Sequence, residues 1–213
     1  MVETYFLSAN LLLAYSAYAL GTASPGPSNL AVMATAMHAG RKSATIFALG
    51  VVLGSTLWGL LAAFGLSAAM SQYSQTLIVM KLLGGLYLLW LAFKSAKSAF
   101  SVHSTFVASP TTENESSAML FMRGAAMHLT NPKAIFVWLS IVALALPADA
   151  KWSSALLVVV GCIPIGVFIF CGYALLFSTR SARQIYARSR RWFDGTLAVL
   201  FGYAGIRLLA STA

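Results

Sequence analysis

Ser24-Pro25-Gly26-Pro27-Ser28-Asn29 cuts an otherwise apolar stretch, and a second cut, Asn131-Pro132-Lys133, lies about half a chain later. Each places helix breakers where the surrounding composition asks for a membrane helix. Backbone freed by such a break carries donors and acceptors that hydrocarbon cannot satisfy. It survives at membrane depth only inside protein or beside a water-filled cavity. Interruptions at corresponding points of two halves are the pattern of an inverted-repeat transporter, with substrate held between them.

Composition supports that reading. Of 213 residues, 59% are hydrophobic and 9% charged, against about 25% charged in soluble domains. The chain therefore reads as an all-α integral membrane protein. Its five acids, Glu3, Glu113, Glu115, Asp149 and Asp194, are assigned to loops, the N-terminus or helix ends, leaving no carboxylate deep in the membrane. The net charge of +9 sits between apolar spans without aromatic interleaving, which argues for membrane orientation and against nucleic acid. Cys162 and Cys171 are nine residues apart on one expected helix, about 13 Å along its axis, so no disulfide is expected. No metal or cofactor is expected either. No Lys or Arg precedes the first apolar run, so that run is expected to stay as a membrane helix and not to be a cleaved leader.

Apolar runs fall at about 5–39, 43–70, 76–93, 118–146, 152–178 and 193–209, predicting six transmembrane segments. The first, at about 35 residues, would run about 52 Å against a core near 30 Å, so it must break at the Pro-Gly-Pro. Residues 134–146 alone would cover only about 20 Å, so the stretch before Asn131 is expected to enter the membrane too. Arg41 and Lys42, then Lys94 and Lys97, then Arg180, Arg183, Arg188, Arg190 and Arg191 mark three loops as cytoplasmic, putting both termini outside. Three spans per half make the halves antiparallel: 1–100 and 118–213, joined by a cytoplasmic linker, 101–117. Pro25 and Pro132 are offset by 107 residues, and Gly85 and Gly195 by 110, a roughly constant register.

Ser24 is read as an N-cap with Pro25 as first helical residue, so that a half-helix restarts with unpaired N–H groups at Gly26 and Ser28. Free donors at a positive dipole end favour an anion such as an amino-acid carboxylate. Asn131 and Pro132 repeat the arrangement. Lys133 opposes its own helix dipole and either faces a cavity, binding a carboxylate or changing protonation, or snorkels to the interface. His128, three residues before Asn131, is a proton carrier or a bystander. Gly50, Gly54 and Gly59, and likewise Gly195, Gly202 and Gly205, read as helix-packing positions. Trp58 and Trp138 line a path or pack in the core, and Asp194 reads as a cap at the start of segment six.

Ser24-Pro25-Gly26-Pro27, Gly84-Gly85-Leu86-Tyr87-Leu88 with Trp90, Asn131-Pro132-Lys133-Ala134 and Trp192-Phe193-Asp194-Gly195 together resemble the LysE/RhtB family of bacterial amino-acid exporters, nearest its threonine and homoserine branch. The resemblance implies a multi-pass inner-membrane secondary transporter expelling small amino acids, driven by the proton gradient. Many members of that family carry an acid just after the second glycine of the Gly50–Gly54 pair, where this chain has Ser55. That absence argues against a cationic substrate or divalent metal and favours a neutral amino acid.

The expected translocation site is Ser24, Pro25, Gly26, Pro27, Ser28, Asn29, Thr130, Asn131, Pro132 and Lys133, with Lys133 and His128 for coupling. Ser24, Ser28, Asn29, Thr130 and Asn131 would offer oxygens to an ammonium or hydroxyl. The expected partners are a small amino acid and the lipid bilayer, with a homo-oligomer left open. A membrane-embedded enzyme would need a nucleophile with its base, paired carboxylates or a metal cluster at depth, and the sequence offers none. A structural membrane subunit is the other alternative.

Overall fold

The computed structural model describes residues 9–72, 76–100, 115–145 and 152–210, and the helix is the sole regular element among them. In order they are α1 (Ala9–Ala23), α2 (Pro27–His38), α3 (Gly40–Gln72), α4 (Thr76–Phe100), α5 (Ser117–Leu129), α6 (Pro132–Ala145), α7 (Trp152–Phe177) and α8 (Arg180–Ala210). Within α3 and α7, 40–65 and 153–177 are long and apolar enough to cross a membrane, and the pair α5–α6, bent by 63° at its break, makes a third candidate span. The apolar α1 is shorter.

Basic residues of all three expected loops are helical, Arg41 and Lys42 standing in the first turn of α3. The basic residues 180–191 open α8, which runs unbroken into the apolar stretch after them, and Lys94 and Lys97 lie inside α4. The reason is local: 180–191 is rich in Arg and lacks Gly and Pro, so nothing stops propagation once the apolar half is helical. Asp194 is consequently interior to α8 and not a cap at its start. The expected linker 101–117 lies outside the described residues up to 114; Ser116 Oγ then caps α5 by accepting from Met119 N–H at 3.3 Å. The turn between α2 and α3 uses Gly40 at φ +80°, a left-handed conformation that a side chain resists.

The helices pack as two neighbourhoods. One buries Leu11, Tyr18, Leu88, Trp138, Val142, Phe201 and Leu208, from α1, α4, α6 and α8, with the start of α7. The other buries Val32, Met33, Phe47, Phe170 and Phe177, from α2, α3 and the end of α7. Lipid supplies no hydrophobic drive between helices, so close approach through small residues carries the packing. A Cβ on Gly50 would meet Phe121 O at 1.9 Å and one on Gly124 would meet Phe47 O at 2.1 Å, so α3 and α5 cross backbone to backbone. Gly85 and Gly205 bring α4 and α8 together similarly, a Cβ on Gly85 lying 3.2 Å from Gly205 O. Gly195 has open space where a Cβ would stand and Gly202 only Ala92 at 3.9 Å, so these two are not close-packing positions.

Candidate functional site

At the first break, Ser24 N–H donates to Leu20 O at 2.8 Å and Ser24 Oγ to Gly21 O at 2.9 Å, so Ser24 closes α1. The N-cap of α2 is Gly26, extended at φ −160° and ψ 175°, with Pro27 at the first helical position. This corrects the placement on Ser24 and Pro25. A residue preceding proline is pushed out of the helical region, so Gly26 cannot be helical and the helix begins one proline later. The first backbone bond of α2 is Leu30 N–H to Gly26 O at 2.9 Å, which leaves Ser28 and Asn29 as its leading N–H groups. At the second break the expected cap forms: Asn131 Oδ1 accepts from Lys133 N–H at 3.1 Å, with Pro132 opening α6.

Three carbonyls at the close of α1 are held by side chains from other elements. Asn29 Nδ2 donates to Thr22 O at 2.8 Å, Tyr173 O–H to Ala23 O at 2.6 Å, and Lys133 Nζ to Ser24 O at 2.6 Å. Lys133 Nζ also meets Ser24 Oγ. The lysine backbone therefore sits in the first turn of α6 while its charge sits at the negative end of α1, where the dipole favours a cation. These contacts turn the Lys133 side chain toward the first break. Across the second break, Trp58 Nε1–H donates to Leu129 O at 3.1 Å.

A polar chain also joins the breaks. Asn131 Nδ2 donates to Ser28 Oγ at 3.1 Å, and Ser28 Oγ shares a hydrogen bond with His128 Nδ1 at 2.9 Å. His128 is 6% exposed and meets the Phe170 ring edge-on at 5.5 Å between centroids. It is thus a bonded member of the junction. Beside it Ser55 accepts from Trp138 Nε1–H at 3.0 Å and shares a bond with Tyr18 O–H at 3.1 Å. Gly54 lets this group close up, since a Cβ there would meet His128 Cβ at 3.0 Å.

Two cavities adjoin the junction. The smaller, about 20 Å³, has room for about one water and is lined by Gly26, Ser28, Asn29, Ser55, His128, Asn131, Lys133, Trp138 and others. The larger, about 370 Å³, is bounded by Ser24, Pro25, Gly26, Pro27, Asn131, Pro132 and Lys133, by Phe136 of α6, by Tyr87, Trp90, Leu91, Lys94, Ser95 and Ser98 of α4, and by Asp194 of α8. Gly26, Asn131 and Lys133 face both. Of the expected site residues Thr130 alone lines neither cavity; it is exposed and its Oγ1 donates to Ala126 O of its own helix at 3.0 Å.

Several lining residues were not anticipated. Tyr87, Trp90, Lys94 and Ser98 recur at three- and four-residue steps, so one face of α4 walls the cavity, and that spacing was readable. Tyr87 stacks on Phe136 at 4.5 Å and on Trp90 at 5.4 Å. Asp194, 2% exposed, accepts from Ser98 O–H at 2.7 Å. It is a buried carboxylate in a helix interior. Its signal was the absence of any helix breaker between Arg180 and Asp194. Among the described residues no cluster of three His, Cys, Asp or Glu is arranged to hold a metal.

Over 192 residues the chain is 30% identical to the threonine efflux protein of Escherichia coli (strain K12), covering 88% of this chain and 91% of that relative. The same figures hold for the threonine efflux protein of Salmonella typhimurium. The leucine efflux protein of Klebsiella pneumoniae is 26% identical over 167 residues, 78% of this chain and 77% of that relative. No solved structure matches the chain. The family described as LysE type translocator matches residues 19–212. With its apolar helices and two joined helix breaks, this chain is a membrane protein that belongs to the LysE type translocator family.

Proposed function

We propose that the chain exports small neutral amino acids, threonine- or homoserine-like, across a bacterial inner membrane by alternating access. The observation that carries this reading is the junction of the two breaks, where Lys133 Nζ from α6 reaches Ser24 O at the end of α1 at 2.6 Å beside a 370 Å³ cavity. A substrate carboxylate docks at Lys133 and the leading N–H groups of α2 and α6, and the oxygens of Ser24, Ser28, Asn29 and Asn131 serve its ammonium or hydroxyl. Thr130 is left out of that set because its hydroxyl turns to its own helix.

In this reading the chain forms six membrane segments in two inverted halves, 1–100 and 118–213. It is supported by the packing of α3 on α7 and of α4 on α8, each helix against its counterpart in the other half. The three basic helix ends face the cytoplasm and both termini face outside. The larger cavity reaches the Lys94 end of α4, so this arrangement is open inward, with the smaller cavity marking the closed side. Export is driven by the proton-motive force, His128 and Lys133 carrying the proton at the junction. The junction performs translocation without catalysis.

The test is uptake of labelled threonine, homoserine, serine, leucine and lysine into everted membrane vesicles, with and without a protonophore. Accumulation of a neutral amino acid that is abolished by the protonophore and by Lys133→Ala is the expected result. Accumulation unaffected by Lys133→Ala would remove the junction as the site.

A further inference from the structure

We propose that Tyr87 reads the side-chain hydroxyl of the cargo in the larger cavity, so that the site selects hydroxylated amino acids over their plain aliphatic counterparts. The assignment rests on the amino-acid reading above and names the group that recognises the side chain.

A hydroxyl shut away from water is nearly always hydrogen-bonded, because leaving it unpaired forfeits the bonds it made to solvent. Tyr87 Oη is buried and has no hydrogen-bond partner among the described residues. The polar side chains of the two breaks do not share that condition: Ser24, Ser28, Asn29, Asn131 and Lys133 each bond to a carbonyl or to another side chain. Tyr87 also lines the 370 Å³ cavity, where it shares the α4 wall with Trp90, Lys94 and Ser95. An orphan hydroxyl in such a wall is a group whose partner comes from outside the fold.

Position suits a side-chain subsite. The Tyr87 ring stacks on Phe136 of α6 at 4.5 Å and on Trp90 of its own helix at 5.4 Å. Phe136 follows Lys133 by three residues on α6, so the two share a face about 4.5 Å apart along the axis. A carboxylate held at Lys133 therefore brings the side chain of a small amino acid, within about one helical turn, to the stack of Tyr87 on Phe136. The rings flank its carbons, and the phenol serves its hydroxyl. The Tyr87 oxygen is covered in this arrangement, so it meets the cargo as the wall repacks, and Trp90 is the one exposed ring of the three. A phenol both donates and accepts, so it pairs with an alcohol in either direction. A plain side chain in the same place leaves the phenol orphaned, and that cost is what discriminates.

The experiment combines thermal unfolding with titration calorimetry on purified protein in detergent. The probes are threonine and 2-aminobutyrate, which carries a hydrogen where threonine has its hydroxyl. The wild-type chain is expected to prefer threonine by tenfold or more. Tyr87→Phe keeps the stacked ring and removes the hydroxyl alone. It is expected to raise the Tm of the empty protein by about 2–4 °C, to lose at least tenfold in threonine affinity, and to bind 2-aminobutyrate within about twofold of wild type. A Tyr87→Phe chain that fails to fold or melts below the wild type overturns the assignment, since the hydroxyl then has a partner in the empty fold. Equal weakening of both probes, an unchanged preference in Tyr87→Phe, or a wild-type chain without preference overturns it too. Binding of neither probe by the wild-type chain would instead remove the amino-acid reading, and this assignment with it.

Discussion

Gly50→Ala tests whether backbone contact between α3 and α5 holds the junction together. The added Cβ would stand 1.9 Å from Phe121 O, whereas a carbon rests against a carbonyl oxygen at about 3.3 Å. The helices must therefore part by about 1.4 Å, and no side-chain rotation relieves the clash because the colliding atom is backbone. Overpacking costs about 1–3 kcal/mol, and a backbone obstacle puts this case at the upper end. Replacing a helical glycine by alanine returns about 1 kcal/mol through propensity. The net loss is about 2 kcal/mol, a fall in Tm of about 4–8 °C for a chain of this size. The assay is thermal unfolding of purified protein in detergent, with Gly195→Ala and Gly172→Ala as controls, since a Cβ at either meets nothing within 4 Å. Those two are expected to be neutral or slightly stabilised. Gly50→Ala as stable as Gly195→Ala would refute the account of the crossing.

Ser28→Ala removes the link between Asn131 and His128 and is expected to lower vesicle transport at least tenfold, whereas Ser140→Ala, a buried serine bonded to Phe136 O and Gly84 O away from the junction, lowers it less than twofold. Trp58→Phe takes the donor from Leu129 O and should cost about 1–2 kcal/mol, with faster amide exchange at the second break and not at the first. Ser95→Cys, on a Cys171→Ala background, places a thiol on the larger cavity while Cys162 stays fully buried. Its labelling by a maleimide should slow when threonine is present, and unprotected labelling would count against substrate in that cavity.

Much of this architecture was legible because prolines act locally. Pro25, Pro27 and Pro132 forbid specific hydrogen bonds whatever surrounds them, so both breaks and the Asn131 cap were readable from sequence. The one-proline error at Gly26 arose because two prolines compete to open the helix and the pre-proline restriction on Gly26 decides between them. The continuation of α4 past Lys94 and of α8 back to Arg180 is less readable: hydropathy falls there, yet nothing in the backbone chemistry changes, so the polarity boundary is not a structural one. For the same reason Asp194 stands inside α8 and not at its start. That Lys133 meets Ser24, or Ser28 meets His128, depends on tertiary approach set by Gly50, Gly54 and Gly124 on other helices, which no local pattern encodes.

At the close of α1 three successive carbonyls are held by three different helices: Thr22 by α2, Ala23 by α7 and Ser24 by α6. Any rocking of one bundle against the other must lengthen at least one of these bonds, so the hinge is notched and does not slide freely. Each notch is worth about 1 kcal/mol when water or substrate replaces the lost donor, and more when nothing does. An empty carrier would thus be held in place by its own backbone, and a bound solute that offers a replacement donor to Ser24 O would release it, tying the change of direction to the presence of cargo.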